Sequence, residues 1–99
     1  MSNFVLQEIH RNKLVNDADF RQQCYTGMQM YASAVQEIIS GSSITIPQSE
    51  LDDLSNDFKL EIVNNHVSYL SEMVNQDFWT TEDMTTVNNA ITSGNAYTS

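Results

Sequence analysis

Among the 99 residues of this chain, four are basic, two are histidine, three are glycine, one is cysteine and one is proline. Each scarcity excludes something. Cys24 stands alone, so no disulfide forms within the chain, and its place among apolar residues at helical spacing suits a small buried hydrophobe better than a nucleophile. His10 and His66 have no cysteine or second histidine at ligand spacing, whereas a zinc site takes three or four such ligands. With so few glycines there is no Gly-rich phosphate loop, and no G-x-S-x-G sequence occurs. Asp52, Asp53 and Asp57 lack the alternating ligands, sixth-position glycine and twelfth-position glutamate of a calcium loop. No catalytic, metal-binding or cofactor-binding residue is therefore expected, and the chain reads as a non-enzyme.

Positive charge is scarce as well. Four Lys and Arg face thirteen Asp and Glu, a formal net charge of −9 on 11.2 kDa. Backbone contacts to nucleic acid need clustered cations, as do anionic membrane surfaces, so neither partner is expected. Apolar runs are only a few residues long, too short for a membrane-spanning helix. The start lacks the basic-then-apolar pattern of a secretory signal, and Met1-Ser2 reads as a cytosolic beginning.

What the chain does have is helical periodicity. From Asn16 to Gly41, apolar residues fall at Phe20, Cys24, Met28, Tyr31, Val35 and Ile38, the spacing of one buried stripe on a 3.6-residue helix. Asn16 supplies a capping side chain, Asp17 and Asp19 suit the positive end of the helix dipole, and Gly41 offers a left-handed stop. Ahead of it, Phe4, Val5, Ile9 and Leu14 outline a short first helix that needs tertiary contact to hold.

Ser42 to Pro47, with three β-branched residues, reads as an extended connector, as a single short strand whose partner would come from a second subunit, or as a hydrophobic loop packed on the bundle. Ser49 with Asp52 resembles a capping pair. Leu51, Leu54, Phe58, Ile62, Val63, Val67, Leu70 and Val74 then recur as a broad stripe, which Asn56-Asp57 can interrupt. Thr80 or Thr81 caps a last helix that carries Met84, Val87 and Ile91, and Gly94 closes it. The expectation is an all-α single domain over residues 1–99. It is a small bundle of three to four helices near 3–14, 17–40, 49–76 (breakable near 56) and 81–93, with an extended 42–47 connector.

Two surfaces stand out for contact with other molecules. Tyr25, Gln29, Met30 and Tyr69 lie off the main stripes, and Trp79 sits between two helices, either stapled onto the core or anchoring an interface. Glu50, Asp53, Asp57, Glu61 and Glu72 outline an acidic face.

Leu14-Val15-Asn16-Asp17-Ala18-Asp19-Phe20-Arg21 and the following helix to Val35-Gln36-Glu37-Ile38 resemble the opening of small virion-associated proteins of tailed bacteriophages. Thr81-Glu82-Asp83-Met84-Thr85-Thr86-Val87-Asn88-Asn89-Ala90-Ile91, then Gly94, is similar to their closing helix. Those relatives tend to have Ala-rich long helices, where this chain has Gln22, Gln23, Tyr25, Thr26 and Gln29. The resemblance implies a structural or assembly role in the particle: a neck (head–tail) adaptor, or a capsid- or tail-associated subunit. It also implies self-association or contacts with portal, capsid or tail proteins, and a location in the virion or host cytoplasm. The alternative from charge alone is a free acidic inhibitor that docks on a basic surface of a host enzyme or defence complex, as a nucleic-acid mimic would.

Overall fold

The computed structural model describes residues 7–76 and 78–99, and within them every regular element is helical. Five helices follow in order: α1 (Glu8–Asn16), α2 (Ala18–Ser40), α3 (Gln48–Asp53), α4 (Asn56–Val74) and α5 (Thr85–Thr98). The all-α expectation holds, but five helices replace the expected three to four. No described helix is long and apolar enough to cross a membrane. The expected first-helix residues Phe4 and Val5 lie outside the described residues.

α2 organises the rest. Its 23 residues span about 34 Å at 1.5 Å per residue, most of the molecule's 41 Å long axis. The cap is Asp17, not Asn16: Asp17 Oδ1 accepts the Phe20 N–H at 3.1 Å, while Asn16 closes α1 and donates its side chain to the Asn12 carbonyl. Arg21 ties the two helices together by donating to the carbonyls of Leu14 and Val15 at 3.0 and 2.9 Å, a cation at the negative end of α1. Gly41, at φ 74°, supplies the left-handed stop and donates its N–H to the Glu37 carbonyl.

α2, α4 and α5 pack on one another around a core of Met28, Ala32, Val35, Ile38, Val63, Val67, Leu70, Met73, Val87 and Ala90. The ring contact of Tyr31 with Tyr69 and that of Tyr25 with Trp79 set α4 antiparallel to α2. Bonds from Gln36 to Ser93 and from Tyr25 to Asp83 set α5 parallel to α2. The buried stripe of α2 centres on Met28, Ala32 and Val35. Phe20 and Cys24 are only partly buried and Tyr31 is 42% exposed, so half of the expected stripe lies on a flank that α5 does not cover. Likewise Ile9 is exposed, and α1 is held by Leu14.

Three local expectations change. The 42–47 connector is neither extended nor a strand; it folds back on α2. Pro47, not Ser49, precedes α3, and the break before α4 comes at Leu54-Ser55, where Ser55 Oγ accepts the Phe58 N–H. Gly94 does not stop α5. Residues 80–84 form a turn, in which Thr80 Oγ1 accepts the Asp83 N–H, and the helix runs from Thr85 to Thr98 with Gly94 buried inside it. A β-carbon at Gly94 would lie 2.3 Å from Val67 Cγ2 and 3.3 Å from Val63 Cγ1. Glycine is there because α5 crosses α4 too closely for any side chain.

Candidate functional site

The flank of α2 left uncovered by α5 forms a groove of about 510 Å³ with α4 and the folded connector. On α2 the residues facing it include Phe20, Cys24, Gly27, Tyr31 and Ala34, at steps of four, three, four and three. That is the spacing of a helix seam which another helix can follow. From α4 come His66 and Tyr69, and Thr45 with Ile46 closes the connector end. Tyr31 links the two helices: its ring lies 4.6 Å from His66 and 4.8 Å, edge-on, from Tyr69. Met30, 60% exposed, stands on the rim.

The connector wall is held by a buried carboxylate. Glu37 is fully buried, and its Oε1 accepts the N–H groups of Ile44, Thr45 and Ile46 at 2.7, 2.6 and 2.9 Å. Its Oε2 accepts the hydroxyls of Thr45 at 2.6 Å and Ser33 at 3.1 Å. The N–H groups of Ser42 and Ser43 go to Ser40 Oγ and Gln48 Oε1. Side chains therefore satisfy every N–H from 42 to 46, and no strand partner is needed. Three consecutive N–H groups around one oxygen make an anion-binding concavity, here filled by the chain's own carboxylate. Burial by itself pushes the Glu37 carboxyl up; the Thr45 hydroxyl and the three N–H donors outweigh it and bring it from 4.5 to about 2.

Among the groove's lining residues none carries a charge at neutral pH. Burial pushes His66 down, with the Ile62 carbonyl pulling the other way. It also pushes the Cys24 thiol up, against Lys13, so the thiolate of a reactive cysteine is disfavoured. Tyr69 is pushed up to about 12 by burial and by its neighbours Cys24 and Tyr31. Among the described residues no group of three metal-ligating side chains converges. The groove offers apolar and aromatic surface with neutral polar tips, which suits contact more than proton transfer.

The five residues singled out for a protein interface do not form one surface. Met30 and Tyr69 line the groove. Tyr25 and Trp79 instead border a smaller hollow with Arg21, Phe78 and Asp83. Tyr25 donates its hydroxyl to the Asp83 carbonyl and accepts from Gln29. Trp79 is tied down: its indole N–H donates to the Met73 carbonyl at 2.7 Å, and its ring packs edge-on to Phe78. The tryptophan folds back onto the core, as in a hydrophobic staple. Of the acidic residues, Glu50 and Asp53 are exposed on α3. Asp57, Glu61 and Glu72 share one row of α4 at helical spacing.

Periodicity alone misses Gly27, Ala34, Thr45, Ile46 and His66. The signal for the α2 members is present as the 20/24/27/31/34 seam, but it overlaps the core stripe in Phe20, Cys24 and Tyr31 and is hidden by it. Gly27 is the most informative of them. It sits mid-helix without a positive φ, and a β-carbon there would meet nothing within 4 Å. Replacing it with alanine is expected to raise stability by roughly 0.5–1 kcal/mol by removing a glycine from a helix interior. Thermal or urea unfolding checks this; a loss of stability would reveal a contact the groove does not show.

No family model, curated protein or solved structure matches the chain.

Proposed function

We propose that this protein is a non-enzymatic structural or assembly component of a tailed-phage particle, a neck adaptor or a capsid- or tail-associated subunit. It acts by receiving a helix of a neighbouring virion protein in the α2/α4 groove. The observation that carries the docking is the groove itself: an open, uncharged, aromatic-lined channel on the two longest helices of a chain whose net charge is −9. Grooves of that kind between two helices are where an amphipathic helix lays its apolar face. The phage setting rests on the likeness of the two ends of the chain to virion-associated proteins.

The test is co-purification with the portal, capsid and tail proteins of a tailed-phage particle. Met30→Lys puts a positive charge on the exposed rim without touching the core, so it is expected to leave the melting temperature within about 4 °C of wild type and to abolish capture. Glu50→Lys with Asp53→Lys, neither of which lines the groove, is expected to change nothing. The opposite pattern, capture lost on charge reversal and kept in Met30→Lys, would replace this reading with that of a free acidic inhibitor.

A further inference from the structure

We propose that the helix received by the α2/α4 groove is cationic and amphipathic, with a small residue seated over Gly27 and Lys or Arg along its edges. This deepens the docking function above and rests on it.

The first observation is Gly27. A glycine in the middle of a 23-residue helix weakens that helix, and nothing inside the molecule requires it. Its φ is not positive, and a side chain there would meet no atom of the chain. What glycine leaves is bare backbone on the groove floor, with Cys24 and Ala34 as its small neighbours along the seam. Helix axes approach most closely where the residues at the crossing are small.

The second is the distribution of charge. The groove lining holds no carboxylate although thirteen are present in the chain. Four of them flank it instead. By helical spacing, Asp57, Glu61 and Glu72 form a row on α4 that adjoins the row of Phe58 and Tyr69 on its solvent side. On α2, Asp19 lies one turn from the lining residue Gln23. Arg21 is engaged by the carbonyls of α1 and Lys13 lies over the Phe20 ring at the groove's end, which leaves Lys59 as the cation of α4 against its three carboxylates. A neutral floor with negative edges matches an apolar stripe flanked by Lys and Arg. The same edges repel an acidic helix or a second copy of this chain.

The experiment uses the full chain and two labelled synthetic amphipathic helices of about four turns, with the same Leu/Ala seam and either lysine or glutamate flanks, read by fluorescence anisotropy. The lysine peptide is expected to bind and to weaken with added salt. Gly27→Leu, which fills the floor, and Glu61→Lys with Glu72→Lys are each expected to weaken it by about tenfold or more, with helical content unchanged by circular dichroism. Equal binding of both peptides, lost in Gly27→Leu, would overturn the cationic partner and leave groove docking standing. A dimer that Gly27→Leu dissociates would overturn it in favour of a second copy. Binding of neither peptide overturns it outright, and if virion-protein capture also survives Gly27→Leu, the docking function falls with it.

Discussion

Replacing Glu37 with alanine is expected to remove roughly 3–5 kcal/mol of folding stability, because it removes at once several part-buried hydrogen bonds to one charged acceptor. The N–H groups of Ile44, Thr45 and Ile46 and the hydroxyls of Thr45 and Ser33 all donate to this one carboxylate. A single-domain protein has about 5–15 kcal/mol in total, so the loss is a large fraction of it and is expected to lower the melting temperature by at least about 12 °C. Glu37→Gln keeps the shape and one acceptor oxygen, and the Thr45 and Ser33 hydroxyls can turn to accept from its amide. Its cost is expected to be about 1–2 kcal/mol, the difference between charged and neutral hydrogen bonds.

The pH dependence has a defined sign. The carboxyl's folded value, about 2, lies below its ordinary 4.5. Its stabilisation is therefore complete above about pH 4.5 and is lost as the pH falls towards 2. The stability difference between wild type and Glu37→Gln, measured by urea unfolding across that window, should shrink as acid is added. A difference that stays constant would mean that the carboxylate's charge contributes nothing to the clamp. The consequence reaches the groove, since Thr45 and Ile46 form its wall; a released connector widens the channel at that end.

Gly94→Ala is the second large effect. The new β-carbon would lie 2.3 Å from Val67 Cγ2, and valine, branched at Cβ, has no long flexible arm with which to yield. Forcing α5 away from α4 is expected to cost about 3 kcal/mol, of which alanine's better helix propensity returns ~1, a net loss of about 2 kcal/mol. Val67→Ala in the same chain makes room, so the double variant should be more stable than additivity of the two single changes requires. Additive behaviour in that cycle would show that the two helices do not touch there. The contrast with Gly27 is informative: the same substitution is expected to stabilise α2 and to destabilise α5, because one glycine faces empty space and the other a packed helix.

Much of the scaffold was legible without coordinates. Long α2, its Gly41 stop and the break before α4 follow from periodicity and turn chemistry, which act over a few residues. Gly94 was misread for the same reason. Followed by Asn95 and a polar end, it has the local look of a helix stop, and only the crossing of α5 over Val63 and Val67 keeps it inside the helix. The 42–47 connector, rich in β-branched residues, reads locally as extended, as a strand or as a packed loop, and only its hydrogen-bond partner on the preceding helix decides for the loop.

The candidate site was legible only in fragments. Met30 and Tyr69 were singled out as off-stripe residues and do line the groove, but Tyr25, Gln29 and Trp79 belong to another flank. Which side of a helix is covered depends on where its neighbours lie, and a pattern of apolar residues does not say which stripe they choose. On α2 two stripes overlap through Phe20, Cys24 and Tyr31, and packing assigned these residues to the flank.

The sequence by itself determined that this chain is helical, acidic and confined to a single cysteine. Those properties belong to composition and to neighbours within a turn or two. Tertiary structure decided the rest: that Glu37 is the buried clamp of the connector; that Gly94 is a crossing point; and that α2 keeps an open seam. Each depends on groups brought together from different elements of the fold, and local pattern carries no record of such meetings.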